Sequence, residues 1–250
     1  MPSKIFSEKV SYDRWLAAQQ WEEQHWIGAQ RMRAKFGKNY IWRLLSAFGV
    51  VSKYRGDDWN QWWKKEFNDY NFLPPTVKNA IEVGCGPYTN IRLMLERCRP
   101  DHLVLSDPLI RTYARFKLTF VAEMYRDVLC ALDDHPLEEL PFADNNFDLS
   151  IMINVLDHVR DAHECMANLL RVTRPGGYVI LGQDLSNDED RAALTADLGA
   201  VGHPIKLDYE WFQPYLTKGF EPVIHKFLNR QQGRAPDAHY GTLIFAGRKL

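Results

Sequence analysis

The sequence predicts an α/β fold in which a mostly parallel sheet is preceded by a helical extension and closed by an antiparallel strand pair. Three observations predict it. From Asn79 onward short apolar runs alternate with longer amphipathic ones, the signature of strands joined by helical crossovers. Ahead of them, seven of the eight tryptophans lie between Trp15 and Trp63 among Arg, Lys, Gln and Glu at helical spacing. Behind them, Glu221–Arg230 and Tyr240–Arg248 are strand-like runs separated by a polar loop containing Gly and Pro. That loop is too short for a helical crossover, so the two strands should pair antiparallel.

The elements follow in order. Ser11 can cap a helix that places Trp15 and Trp26 on nearly the same face, with Trp21 to one side. A second helical segment, Tyr40–Phe48, carries Ile41, Leu44, Leu45 and Phe48 at the spacing of one helix face. Pro74-Pro75 ends this tryptophan-rich extension, which divides the chain into residues 1–75, an acceptor cap or interface, and a main domain at 76–250. Strands are expected at 79–83, 102–106, 127–131, 147–153 and 177–183, and helices at 88–98, 109–125 and 160–172. Pro175-Gly176-Gly177 reads as a turn that launches the fifth strand.

A chain of 250 residues with 46% hydrophobic content can bury a full core, and disorder is not the default. The net charge of -1, with acids and bases interspersed, offers no broad electrostatic footprint for nucleic acid or an anionic membrane. A small or discrete partner is favoured. Cys85, Cys98, Cys130 and Cys165 are far apart, without a Cys-x-x-Cys pair or Cys/His cluster, so they read as reduced, mostly buried thiols, and no metal is expected. There is no signal-peptide core and no apolar stretch approaching the roughly 20 residues needed to span a bilayer. The expectation is a cytoplasmic protein with no integral membrane segment.

Two motifs point to a nucleoside. Ala80–Tyr88 is a buried strand running into a tight turn and then a helix, with Gly84 and Gly86 allowing backbone angles and ligand approach that a side chain would block. Any tight strand-to-helix turn can use glycine. A dinucleotide fingerprint, however, would continue to a third glycine near position 89, where a helix N-terminus holds pyrophosphate. Position 89 is Thr, which disfavours a nicotinamide-dependent dehydrogenase and suits a cofactor without phosphates. The second motif is Leu103–Asp107, in which a carboxylate ends the next strand. At the carboxyl edge of a parallel sheet Asp107 faces the same crevice and can accept both hydroxyls of an adenosine ribose; alone, it would read equally well as a turn-forming Asp before Pro108.

Further on, Leu137–Phe142, Asp144–Asp148, Asn154–Asp161 and Arg171–Gly177 bring polar side chains to the carboxyl end of the fourth strand. Taken together and in this order, these segments resemble the class I S-adenosylmethionine (SAM) dependent methyltransferases typified by ubiquinone- and menaquinone-biosynthesis enzymes, over roughly residues 78–184. The resemblance implies a Rossmann-like, seven-stranded, mostly parallel sheet with a C-terminal antiparallel strand pair, and SAM as cofactor. It also implies roles. Glu82, Gly84 and Gly86 lie along the methionine part, Asp107 with Pro108 holds the ribose, Leu137 to Glu139 border adenine, and Asn154 and Val155 line the methyl side. The sequence departs from the family before Leu137, where Asp133-Asp134-His135-Pro136 leaves open which acid meets the adenine amino group.

Methyl transfer from a sulfonium needs alignment of donor and acceptor and no nucleophilic side chain. A hydroxyl acceptor also needs a base. His158, just past the fourth strand, is one candidate, and packing over the cofactor while bonding a loop carbonyl is its alternative role. Asp157 is adjacent, but neighbours in sequence need not face each other, so a dyad is not implied. His203 is the second candidate. Trp21, His25 and Trp26 could form a wall for a ring-shaped acceptor, with Arg31, Arg33 and Lys35 pairing an acidic group, or could be the extension's own core. The reading is O-methylation of a small molecule or glycan, with an acidic sugar of a surface polysaccharide as the subgroup suggested. Alternatives are N- or C-methylation and a non-catalytic SAM-binding module. A nucleic-acid acceptor is disfavoured because a long basic arm and the Asn-Pro-Pro-Tyr signature for flipped bases are lacking. The exposed aromatics are compatible with a homodimer.

Overall fold

The computed structural model describes residues 8–36, 38–51, 57–127, 129–187, 199–234, 236 and 239–250. Seven strands form one sheet: β1 (Thr76–Val83), β2 (Arg99–Ser106), β3 (Ala131–Asp133), β4 (Phe147–Ile153), β5 (Thr173–Leu185), β6 (Phe220–Asn229) and β7 (Gly241–Lys249). Their spatial order is β3-β2-β1-β4-β5-β7-β6. β1 to β5 are mutually parallel, while β7 inserts antiparallel between β5 and β6. The expected hairpin of the last two strands is therefore present, and the sheet is Rossmann-like with seven strands as the resemblance implied.

The central strands are apolar because both faces are covered. On one face, α7 (Ala162–Val172) and α9 (Tyr209–Gly219) press Met166, Leu169, Phe212 and Leu216 onto β4, β5 and β7. Asp161 starts α7 by accepting from the backbone N–H groups of His163 and Glu164, the N-cap pattern. The opposite face carries α4 (Ile91–Met94), α5 (Ile110–Tyr113), α6 (Phe120–Arg126) and, from the N-terminal region, α3 (Asp57–Glu66). Trp63, Phe67 and Tyr70 are buried there. Their rings step along the sheet at centroid spacings of 6.2 and 5.8 Å. Trp63 packs so closely on β5 that a Cβ at Gly182 would lie 2.7 Å from its ring. The later part of the tryptophan-rich segment thus belongs to the sheet's own helical layer.

The remaining extension is α1 (Tyr12–Phe36), which crosses the carboxyl edge of the sheet, and α2 (Tyr40–Ala47). A short helix, α8 (Gly199–Gly202), packs against α1. Among the described residues no helix is long and apolar enough to cross a membrane.

Several boundaries differ from the sequence expectation for local reasons. The helix expected at 109–125 is two helices, because Thr119 accepts from Ala122 N–H and restarts the chain as an N-cap. The helix expected at 88–98 shrinks to Ile91–Met94, since the preceding residues wrap a buried carboxylate. The third strand, expected at 127–131, lies at Ala131–Asp133. Pro175-Gly176-Gly177 does not precede β5 but forms an irregularity within it, where the register jumps between Phe147 and Leu149 of β4 and Gly176 takes a φ of +71°.

Trp63→Ala would open a void between Gly182 and Phe67 in a layer that cannot close over it. Urea unfolding should show a loss of roughly 3–5 kcal/mol; a loss below about 1 kcal/mol would mean this ring does not hold α3 to the sheet.

Candidate active site

At the carboxyl ends of β1, β2 and β4 lies a cavity of about 360 Å³. Its floor is the turn after β1. Gly84 and Gly86 both adopt left-handed backbone angles, φ +61° and +55°. A Cβ on Gly84 would strike the Val155 side chain at 2.4 Å, whereas one on Gly86 would meet nothing within 4 Å. Gly84 therefore lets β1 and β4 approach, and Gly86 keeps open space where a ligand would pass.

Glu82 sits where the turn becomes α4. Its buried carboxylate accepts from the backbone N–H groups of Asn90 (2.7 Å) and Ile91 (3.0 Å), from Asn90 Nδ2 and from Thr89 Oγ1. Burial pushes its pKa up, and these donors pull against the shift. The donors that would hold a pyrophosphate at this helix start are thus already taken by an anion. Glu82 is not among the residues lining the cavity; its side chain holds the turn that Thr89 and Asn90, which do line it, belong to.

Asp107 ends β2 and faces the cavity with Pro108. Oδ2 accepts from Gly86 N–H at 3.0 Å and Oδ1 from Leu109 N–H at 2.9 Å. One donor per oxygen leaves lone pairs for two further hydroxyls. Burial raises its pKa to about 6, despite the two backbone donors.

The segment after β3 decides which acids reach the cavity. Asp133 accepts from Ser106 Oγ and meets His135 Nδ1 at 2.7 Å, and Asp134 pairs with Arg111 at the surface. Neither lines the cavity; His135, Pro136, Leu137 and Glu138 do. The Glu138 carboxylate accepts from the backbone N–H groups of Arg160 and Asp161, fixing the start of α7.

At the end of β4, Asn154 takes a φ of +57° and accepts from Asp184 N–H at 3.1 Å. Gln183 of β5 is the buried hub here: Oε1 accepts from the N–H groups of Val155 and Leu156, and Nε2 donates to Asp157 Oδ1 at 3.0 Å. Asp157 Oδ2 is 3.7 Å from the Nε2 atoms of both His158 and His203, whose rings lie 4.5 Å apart. The chain does bring the neighbours Asp157 and His158 together, and joins His203 to them across 45 residues. His158 Nδ1 lies 2.9 Å from Gly202 O, so it carries the proton and Nε2 is left toward the carboxylate. Burial alone would lower the His158 pKa, but Asp157, Glu22, Asp107 and the Gly202 carbonyl more than offset it, and the net shift is upward. Burial would likewise raise Asp157, yet the two imidazoles and Gln183 hold it well below the usual carboxylate range.

Helix α1 is the roof. Gln19 Nε2 donates to His158 O at 3.2 Å, Gln30 Nε2 to the Tyr88 hydroxyl at 3.1 Å, and Thr112 Oγ1 to Glu23. Trp21, His25 and Trp26 all face the cavity. Trp21 and His25 stack at 5.2 Å, and Trp26 meets Tyr88 edge-on at 5.5 Å. Trp59, Trp63 and Arg234 complete the lining. The Arg234 guanidinium lies 4.0 Å over the Trp59 ring and pairs with Asp184 at 2.6 Å, while its buried Nε has no hydrogen-bond partner among the described residues.

The Rossmann-like sheet thus brings a glycine turn and a carboxylate together at its carboxyl edge. Residues 81–181 match the family model described as a methyltransferase domain. An uncharacterized methyltransferase of Mycolicibacterium gilvum is 32% identical over 108 residues, 43% of this chain and 35% of that protein, so the match spans about a third of such relatives' own length. Two solved structures share the fold. The N-methyltransferase NodS from Bradyrhizobium japonicum, in complex with S-adenosylhomocysteine, superposes with a TM-score of 0.55 at 17% identity over 77% of this chain and 86% of its own. Geranyl diphosphate methyltransferase in complex with SAM gives 0.60 at 13% identity, over 76% and 85%.

Asp107 supplies a pH test of the site's burial. A carboxyl whose pKa is raised from about 3.9 to about 6 on folding makes the folded chain bind more protons than the unfolded one between those values, so stability falls as pH rises through that window. Asp107→Asn removes the effect. Urea unfolding should show the variant gaining roughly 2–3 kcal/mol on the wild type between pH 4 and pH 7; a constant difference would refute the raised pKa.

Proposed function

We propose that this chain is a SAM-dependent methyltransferase acting on a hydroxyl of a small-molecule or glycan acceptor. The observation that carries the reading is the cavity edge at which the Gly86 N–H donates to Asp107. It offers two carboxylate oxygens with spare acceptor capacity to a ribose, while Glu82 closes the neighbouring helix start to phosphate. A nucleoside without a pyrophosphate fits that chemistry and a dinucleotide does not. SAM, when bound, supplies a methyl group activated by the positive charge on sulfur.

Asp107 would hold the ribose diol, His135 to Glu138 would border the base, and the glycine turn with Asn154 and Val155 would border the methionine and methyl side. On the acceptor side, the indole faces of Trp21, Trp26, Trp59 and Trp63 favour a ring-shaped molecule. The Arg234 guanidinium in the cavity wall supports one with an acidic group, as in an acidic sugar. His158 takes the acceptor's hydroxyl proton on Nε2, since its Nδ1–H is committed to the Gly202 carbonyl. Asp157 stabilises the imidazolium that results, and His203 shares the same carboxylate.

Calorimetric titration with S-adenosylhomocysteine and with NAD tests the cofactor reading. The former should bind and the latter should not, and Asp107→Ala should weaken binding at least about tenfold, the loss expected when charge-assisted hydrogen bonds worth roughly 1.5–3 kcal/mol are removed. Tight NAD binding would reject the proposal. Transfer of labelled methyl to acidic sugars and phenols tests the reaction, and binding without any transfer would favour a non-catalytic module.

The proton relay has its own signature. Because the partners of His158 raise its pKa, turnover should climb with pH to a midpoint above the ordinary imidazole value. Asp157→Asn should move that midpoint down, and His158→Ala should lower turnover about 100-fold or more with little change in cofactor affinity. Unchanged turnover in His158→Ala would remove it from this role.

A further inference from the structure

The chain as a whole is charge-balanced, with 31 basic and 32 acidic residues, but the balance is not local. Between Glu23 and Asp57 there is no Asp or Glu, while Arg31, Arg33, Lys35, Lys38, Arg43, Lys53 and Arg55 all fall in that interval. Whole-chain charge therefore conceals a segregated basic segment.

The same segment turns apolar side chains outward. Helix α2 buries none of its residues, and Tyr40, Ile41 and Phe48 are 74%, 65% and 75% exposed. Met32 and Phe36, at the end of α1, and Val50, after α2, extend the exposed apolar surface. The Phe36 and Trp42 rings, 5.9 Å apart, join the end of α1 to α2. Arg31, Lys35, Lys38 and Arg43 are exposed around this surface, and none of the four is in an ion pair among the described residues. The helix is also preformed, since the Asn39 side chain accepts from Ile41 N–H at 2.9 Å, so docking would not have to order it.

We propose that the end of α1 and α2 form a membrane-surface docking element, which lays its apolar face into a bilayer containing anionic lipid. Short amphipathic helices with aromatic and aliphatic residues on one side and Lys/Arg around them bind at the headgroup boundary. A stretch of sequence without Asp or Glu favours an anionic surface, each nearby basic residue contributing roughly a fivefold gain in partitioning. Since α1 also carries the cavity roof, docking would hold the cavity beside the bilayer. The inference stands independently of methyl transfer.

Vesicle flotation tests it. The full chain should float with phosphatidylcholine vesicles containing phosphatidylglycerol, at least about tenfold more strongly than with phosphatidylcholine alone, and high salt should release most of it. The Ile41→Glu/Phe48→Glu double variant should stay unbound while keeping its circular dichroism melt and S-adenosylhomocysteine affinity; Lys38→Glu/Arg43→Glu should lose only the preference for anionic vesicles. No preference at low salt in the wild type would overturn the proposal. So would a dimer in sedimentation that the Phe48→Glu change dissociates without any vesicle binding, which would assign the surface to a second copy of the chain.

Discussion

The site depends on one buried ion, the carboxylate of Glu82. Taking an anion out of water costs several kcal/mol unless donors replace the solvent, and the chain replaces it with two backbone N–H groups, an amide and a hydroxyl, all from Thr89 to Ile91. That requirement fixes the path of the turn. It bends the chain over the end of β1, delays the start of α4, places Gly84 against Val155, and leaves the N–H of Gly86 pointing at Asp107. The same carboxyl group occupies the N–H groups of this helix start.

A second polar centre works on the other side of the crevice. Gln183 spends its amide on the N–H groups of Val155 and Leu156 and on Asp157, so the loop after β4 is pinned to β5 at three points. This fixes Asp157 with one oxygen occupied and the other directed between two imidazoles. A carboxylate so placed makes the His158 imidazole a better proton acceptor, while the two rings together compensate its burial. Neither ring gains this by being near the cavity; it follows from a glutamine one strand away.

The strands were readable because burial on both faces forces apolar runs, and the antiparallel pair because its linker is too short for a crossover. The glycine turn, Asp107 and His158 were readable because strand ends of a parallel sheet share one edge. What escaped was set by tertiary contact. The sequence shows the position of Glu82 but not that donors of Thr89, Asn90 and Ile91 fold back onto its carboxylate. Gln183 sits in an apolar run and carried a signal only as a polar residue at a strand's carboxyl end. Trp59 and Trp63 were legible as aromatics, yet nothing local told that Gly182 offers the flat seat one of them fills. Arg234 reaches the cavity from the loop between β6 and β7, and no spacing marks it.

Helix α1 shows why such a segment resists reading by a single stripe. Its apolar and aromatic residues answer to different neighbours along 25 residues. Trp15 and Ala18 are buried, Trp21 sits against Gly202 of α8, and Trp26 and Arg33 meet Tyr88. Beyond Arg33, Phe36 is exposed and its ring meets that of Trp42. One continuous helix therefore has a face used to enclose a cavity and an end left bare. The enclosure fixes the helix on the sheet, and the rigidity of a continuous helix carries that fixed orientation to the exposed surface. The exposed Met32 and Phe36 at its end are thereby held in a set relation to the cavity that Trp21 and Trp26 line.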